Sequence, residues 1–105
     1  MGFDHIAEAL GSQARRCILI ELLDHNPVSQ PETVAKNDAR ETDELEVQLI
    51  HTHLPKLDNM GYIVWNSDNV TVVKGPNWEE IESVVRLLSD NREEIPSDTF
   101  ERSQR

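Results

Sequence analysis

The sequence predicts a mainly α-helical chain that closes with a small β-hairpin and one further helix. Three observations carry this. Apolar residues recur at helical spacing through much of the first 61 positions. Two β-rich runs, Tyr-Ile-Val-Trp at 62–65 and Val-Thr-Val-Val at 70–73, then flank four turn formers. After the breakers at 74–77, Trp78, Ile81, Val84, Val85 and Leu88 return to helical spacing.

Phe3, Ile6, Ala7 and Leu10 share one face of a short first helix, which Gly11 ends. Ser12 is of N-cap type, and Ala14, Cys17, Ile18, Ile20, Leu22 and Leu23 continue as a mostly buried second helix stopped by His25, Asn26 and Pro27. Arg15 and Arg16 are adjacent and so diverge by about 100°. At least one of them is expected in solvent, either simply hydrated or on a phosphate. Pro31 suits the first position of a short helix through Ala35. Thr42 or Asp43 then caps the longest helix, whose early Glu44 and Glu46 match the positive end of the helix dipole.

In that helix Val47, Ile50, Leu54 and Leu57 fall within one sector of about 80°, a core-facing stripe, with Leu45 and Leu49 on the opposite side. Pro55 removes a backbone hydrogen bond and biases Leu54 away from α, which predicts a kink or a division there. Gly61 supplies the stop. The hairpin follows, with Asn66, Ser67, Asp68 and Asn69 as its turn, and the last helix begins at Trp78 and ends near Asp90 or Asn91. One domain is expected over residues 1–91, with 92–105 a disordered tail in which only Phe100 offers an anchor.

Twenty Asp and Glu stand against ten Lys and Arg, a formal net charge of −10, and only Lys36, Lys56 and Lys74 are lysines. At low ionic strength such a balance opposes binding a polyanion, which is driven by phosphate neutralisation and counterion release. In molar salt the Debye length falls to about 3 Å and that repulsion is screened. Scarce lysine among scattered carboxylates resembles the proteins of halophilic archaea; the other reading is an acidic partner-binding domain. The sequence shows neither an apolar run of spanning length nor a basic-then-apolar leader, so a cytoplasmic protein is expected. The lone Cys17 permits no internal disulfide and reads as a buried core thiol in a reducing compartment.

The order helix, helix, short helix, long helix, hairpin, helix is that of a winged helix-turn-helix with an additional C-terminal helix. The segment from His53 to Val64 reads His-Leu, two residues, Leu, three residues, Gly, then two apolar residues after Tyr62. It resembles the junction of recognition helix and wing in metalloregulator-like and multiple-drug-resistance-like repressors. Leu10-Gly11-Ser12 before the paired arginines, with His-Thr-His-Leu-Pro-Lys-Leu at 51–57, more closely resembles an uncharacterised winged-helix family of halophilic archaea, over roughly residues 4–90.

The resemblance implies a DNA-binding transcriptional regulator. Gln48, His51, Thr52 and Lys56 would face the major groove of double-stranded DNA, Arg15 and Arg16 would be available to phosphates, and Asn66, Ser67, Asn69 and Lys74 would sit in or beside the wing. Three departures favour an alternative: Asp68 occupies the wing tip, acidic residues open the long helix, and Leu45 and Leu49 lie off the core stripe. That alternative is a protein-interaction adaptor whose partner docks on Leu45 and Leu49. Trp78, Ile81, Val85 and Leu88 either cover the core of one subunit or pair across a two-fold axis. A homodimer through them is the expectation, since dimers are usual among the repressors the chain resembles.

His5, His25, His51, His53 and Cys17 invite a metal reading, but His51 and His53 diverge by about 160° on a helix and no ligand pair has metal spacing. No metal or cofactor is expected. His53 reads as an interior or boundary histidine satisfied by a backbone carbonyl. Neither a phosphate loop, a nucleophile elbow nor triad spacing is present in the sequence, so no enzyme is expected.

Overall fold

In a computed structural model of the chain, residues 2–29, 52–66, 68 and 71–100 are described. The expected helix from Pro31, the start of the long helix at Thr42 or Asp43, and Leu45, Val47, Leu49 and Ile50 lie outside them. Helix α1 spans Phe3–Ala9 and α2 spans Gln13–Asp24, followed by a two-residue strand β1, Val28–Ser29. Helix α3 covers Leu54–Asn59, β2 Ile63–Asn66, β3 Thr71–Lys74 and α4 Trp78–Asp90. Two 3-10 turns, Arg92–Glu94 and Ser97–Thr99, complete the described chain. The fold is mainly α with a small antiparallel sheet in the order β1-β3-β2, a winged-helix arrangement whose hairpin is β2–β3.

The hairpin register pairs Ile63 with Lys74 and Asn66 with Thr71. Strand β1 adds to the other side of β3, Val28 opposite Val72. Two residues are too few to show alternation, which is why the sequence pattern did not announce this strand. The core gathers Ile18, Leu19 and Leu22 of α2, Leu54 and Leu57 of α3, Tyr62, Ile63 and Val72 of the wing, and Ile81 and Val85 of α4. Cys17 is buried, as its place in the apolar stretch implied.

Three expectations are corrected, and a fourth, at Pro55, is refined. In α1 the buried side is Ile6 and Ala9, while Phe3 is 65% exposed and Ala7 faces solvent. The helix is oriented by its C-terminal carbonyls, which α2 holds, rather than by its first aromatic. At Pro55 the expected division is seen as a change of helix type: Thr52 and His53 are π-helical, His53 keeps helical angles (φ −75, ψ −48), and Pro55 falls in the first turn of α3, which begins at Leu54. A wider turn accommodates the missing amide and the ring.

The α4 stripe belongs to the core of its own chain. Trp78 is buried and Ile81 and Val85 are fully so, with Leu88 half-buried, because α4 packs on α2 and closes the domain. Trp78, Ile81 and Val85 therefore cover the core of their own chain, the first of the two readings of this stripe. The tail expected to be loose from residue 92 is packed as far as Phe100, which is only 6% exposed. Polar side chains of α2 hold its carbonyls, a contact that composition does not reveal. No helix among the described residues is long and apolar enough to cross a membrane.

Candidate nucleic-acid interface

Helix α3 is seated by Leu54 and Leu57, both fully buried, and this turns Thr52 outward and leaves Lys56, one turn further on, at the surface. At the far end of the helix the Asp58 carboxylate accepts the Trp65 backbone N–H at 2.8 Å, tying α3 directly to β2. Gly61 turns the chain with φ 84, where a Cβ would lie 2.3 Å from Asn77 Nδ2. Gly75 crosses so closely that a Cβ would meet Gly61 O at 2.5 Å and Ile63 N at 2.7 Å. The bonds Gly75 N–H to Tyr62 O, 3.0 Å, and Asn77 N–H to Gly61 O, 2.7 Å, close this junction. Helix and wing are thus bonded and packed directly against each other.

The paired arginines do something other than face a duplex. Arg15 is 8% exposed; its Nε donates to Ala9 O at 2.9 Å, its Nη2 to Glu8 O at 2.9 Å and its Nη1 to His53 Nδ1 at 3.0 Å. A guanidinium can only donate, so His53 Nδ1 is the acceptor and the ring is neutral with its proton on Nε2. Burial, and then the neighbouring Arg15 charge, hold the His53 pKa below its ordinary value, and burial also lowers that of Arg15. Arg16 donates to Leu10 O at 2.7 Å and to Thr99 O at 2.6 Å. Both residues cap the end of α1 instead of presenting charge, which corrects their expected role at phosphates. His53 is satisfied by Arg15 instead of a carbonyl.

The lysines also have partners. Lys56 Nζ lies 2.7 Å from Glu8 Oε2, and that contact is the main cause lowering the Glu8 pKa. Lys74 Nζ lies 5.4 Å from the centre of the Trp78 ring, at the base of the hairpin and not at its tip. Its backbone N–H is held by Asn26 Oδ1 at 3.3 Å. At the tip, exposed Asn66 accepts the Asp68 N–H at 2.9 Å, and Asp68 itself is exposed.

Of the expected groove and wing residues, Thr52 and Asn66 are exposed and Lys56 is partly exposed on Glu8, whereas Gln48, His51, Ser67 and Asn69 lie outside the described residues. Among the described residues no group of three or more His, Cys, Asp or Glu is placed to hold a metal.

Sequence reasoning missed a second polar knot. The buried Tyr62 hydroxyl donates to Glu80 Oε1 at 2.8 Å and lies 3.2 Å from His5 Nδ1. Burial, with the Glu80 carboxylate beside it, pushes the Tyr62 pKa up. An apolar-pattern Tyr gave no sign of these partners, and nothing in the spacing linked Glu8 to Lys56 or Asp58 to Trp65.

A family model described as a domain of unknown function (DUF7344) matches residues 7–73, from within α1 to within β3. The chain belongs to this family. No curated protein and no solved structure matches it. The DUF7344 match takes in Arg15, His53, Lys56 and the hairpin, while α4 and the 3-10 turns lie beyond it.

Proposed function

We propose that this DUF7344 protein is a DNA-binding, regulator-like winged-helix protein. It sets the helix before Gly61 in a major groove with the hairpin alongside, in the concentrated salt of a cytoplasm to which its acidic composition is suited. The observation that supports this most is the outward presentation of Thr52 and Lys56 from a helix fixed by Leu54 and Leu57 and tied to the wing by Asp58. Recognition helices work as such rigid units, their side chains reaching base edges and phosphates. With Arg15 and Arg16 engaged inside, Lys56 and Lys74 are the cations near the helix and wing among the described residues, so sequence readout and salt screening matter more than charge attraction.

Fluorescence anisotropy on fragments of source genomic DNA in about 2 M KCl tests this, since protein–duplex repulsion is screened there. Saturable binding is expected, and Thr52→Ala or Lys56→Ala should each weaken it about 5-fold or more by removing a bond to a base edge or a phosphate. Binding indistinguishable from that of heparin-displaceable background across all KCl concentrations contradicts the proposal.

One observation favours the second reading, an adaptor without sequence-specific DNA binding. Lys56 and Lys74 are each engaged within the chain, and an exposed Asp68 marks the wing tip. In that case Leu45→Ser with Leu49→Ser abolishes a partner interaction while Lys56→Ala leaves DNA affinity unchanged.

A further inference from the structure

Lys56 is the one lysine or arginine of α3, and a carboxylate of another helix already holds it. Its Nζ lies 2.7 Å from Oε2 of Glu8 in α1. The pair is set from beneath by a buried group: Arg15 donates to the backbone carbonyls of Glu8 and Ala9 and to His53, the residue just before α3. One guanidinium thus fixes the main chain on both sides of the contact. Glu8 stands in the last turn of α1, at the negative end of the helix dipole, where a carboxylate draws no local benefit. Lys56 is the first cause of its lowered pKa, ahead of His5 and Arg15. The Glu8 side chain is 57% exposed, so its carboxylate is free to swing into solvent and leave the ammonium to another anion.

A carboxylate and a phosphate oxygen are alternative acceptors for one ammonium, which is a point charge without a preferred plane. We propose that Glu8 is an internal competitor for the DNA phosphate that Lys56 takes, an autoinhibitory contact between α1 and the groove helix; this rests on the DNA reading above. On binding, Lys56 exchanges one anion for another, so its phosphate contact adds less affinity than that of a lysine without a partner. Contacts from Thr52 to base edges meet no such competitor. The contact therefore restrains attraction to a duplex by charge alone and leaves base readout untouched.

The test is a double-mutant cycle, read by fluorescence anisotropy on fragments of source genomic DNA. Glu8→Gln removes the charge and leaves the backbone carbonyl on Arg15. In about 0.3 M KCl it is expected to bind about 3-fold more tightly than the parent, the range of an exposed ion pair, and the gain should shrink in about 2 M KCl as the pair is screened. In a Lys56→Ala background the same substitution is expected to change affinity by less than about 1.5-fold. So is Asp4→Asn in the parent, which removes a charge exposed one turn earlier on the same side of α1. A gain that persists in full without Lys56, or that Asp4→Asn reproduces, is general relief of repulsion and overturns the proposal. Where the parent binds and Glu8→Gln binds no better, the competitor role fails and the DNA reading stands. Where neither binds any fragment, the DNA reading fails and this proposal with it.

Discussion

The two ends of α3 are held by opposite means. At its start, long charged side chains do the holding: Arg15 of α2 on His53, and the helix's own Lys56 on Glu8 of α1. At its finish, main-chain bonds and close backbone packing do it, through Gly61, Gly75 and Asn77, with the Asp58 carboxylate on the Trp65 amide as the one side chain that joins them. The first end depends on protonation and ionic strength. The second rests mainly on close backbone packing and main-chain hydrogen bonds. A helix held this way keeps a fixed angle to its wing while its attachment to α1 responds to solution conditions.

Gly75→Ala is expected to have the largest effect. A methyl there meets the backbone of Gly61 and Ile63 with no flexible side chain to give way. The loss should be about 3 kcal/mol or more, read from urea unfolding. A loss below about 1 kcal/mol would show that the junction is looser than the close approach implies.

Arg15→Ala should follow, at about 2–3 kcal/mol, because the carbonyls of Glu8 and Ala9 and the His53 nitrogen lose their donor together. Arg15→Lys should rescue little, since an ammonium cannot span three acceptors in a fork. Full rescue by lysine would mean that charge, not geometry, matters there.

The third expectation is a pH dependence confined to the start of the helix. The folded His53 pKa is depressed, so below its ordinary value the unfolded chain binds the proton that the folded chain resists. Its contribution is fully present above about pH 6.5, the ordinary histidine value, and is lost as pH falls from there toward the folded pKa. Unfolding midpoints measured across this range should decline for the parent and decline less for His53→Gln, which keeps a side-chain acceptor without a titratable ring. An NMR titration that places His53 above its ordinary value would refute the neutral-ring assignment.

Elements governed by local pattern were legible in the sequence. Helices α2 and α4, the hairpin and the Leu54–Leu57 seat follow from periodicity and from the breakers around them. What escaped were contacts set by tertiary geometry. Arg15 and Arg16 looked like surface cations because their acceptors are carbonyls, which a side-chain pattern does not show. Phe100 looked stranded in a polar tail because its neighbours come from α2, more than 80 positions earlier. The α4 stripe was periodic whichever surface it covered, so only the fold could assign it to the core rather than to a dimer.

The proposed DNA role of the helix–wing unit and the structural role of the paired arginines make opposite demands on salt. Duplex affinity measured against KCl concentration, for the parent and for Lys56→Ala, tests this pairing of roles most directly. With Arg15 and Arg16 internal and Lys56 and Lys74 the candidate phosphate cations among the described residues, the slope of log K against log salt should be about −2. Lys56→Ala should make it shallower by about 1. A slope steeper than about −5, or a Lys56→Ala protein with unchanged affinity and unchanged slope, would contradict the account.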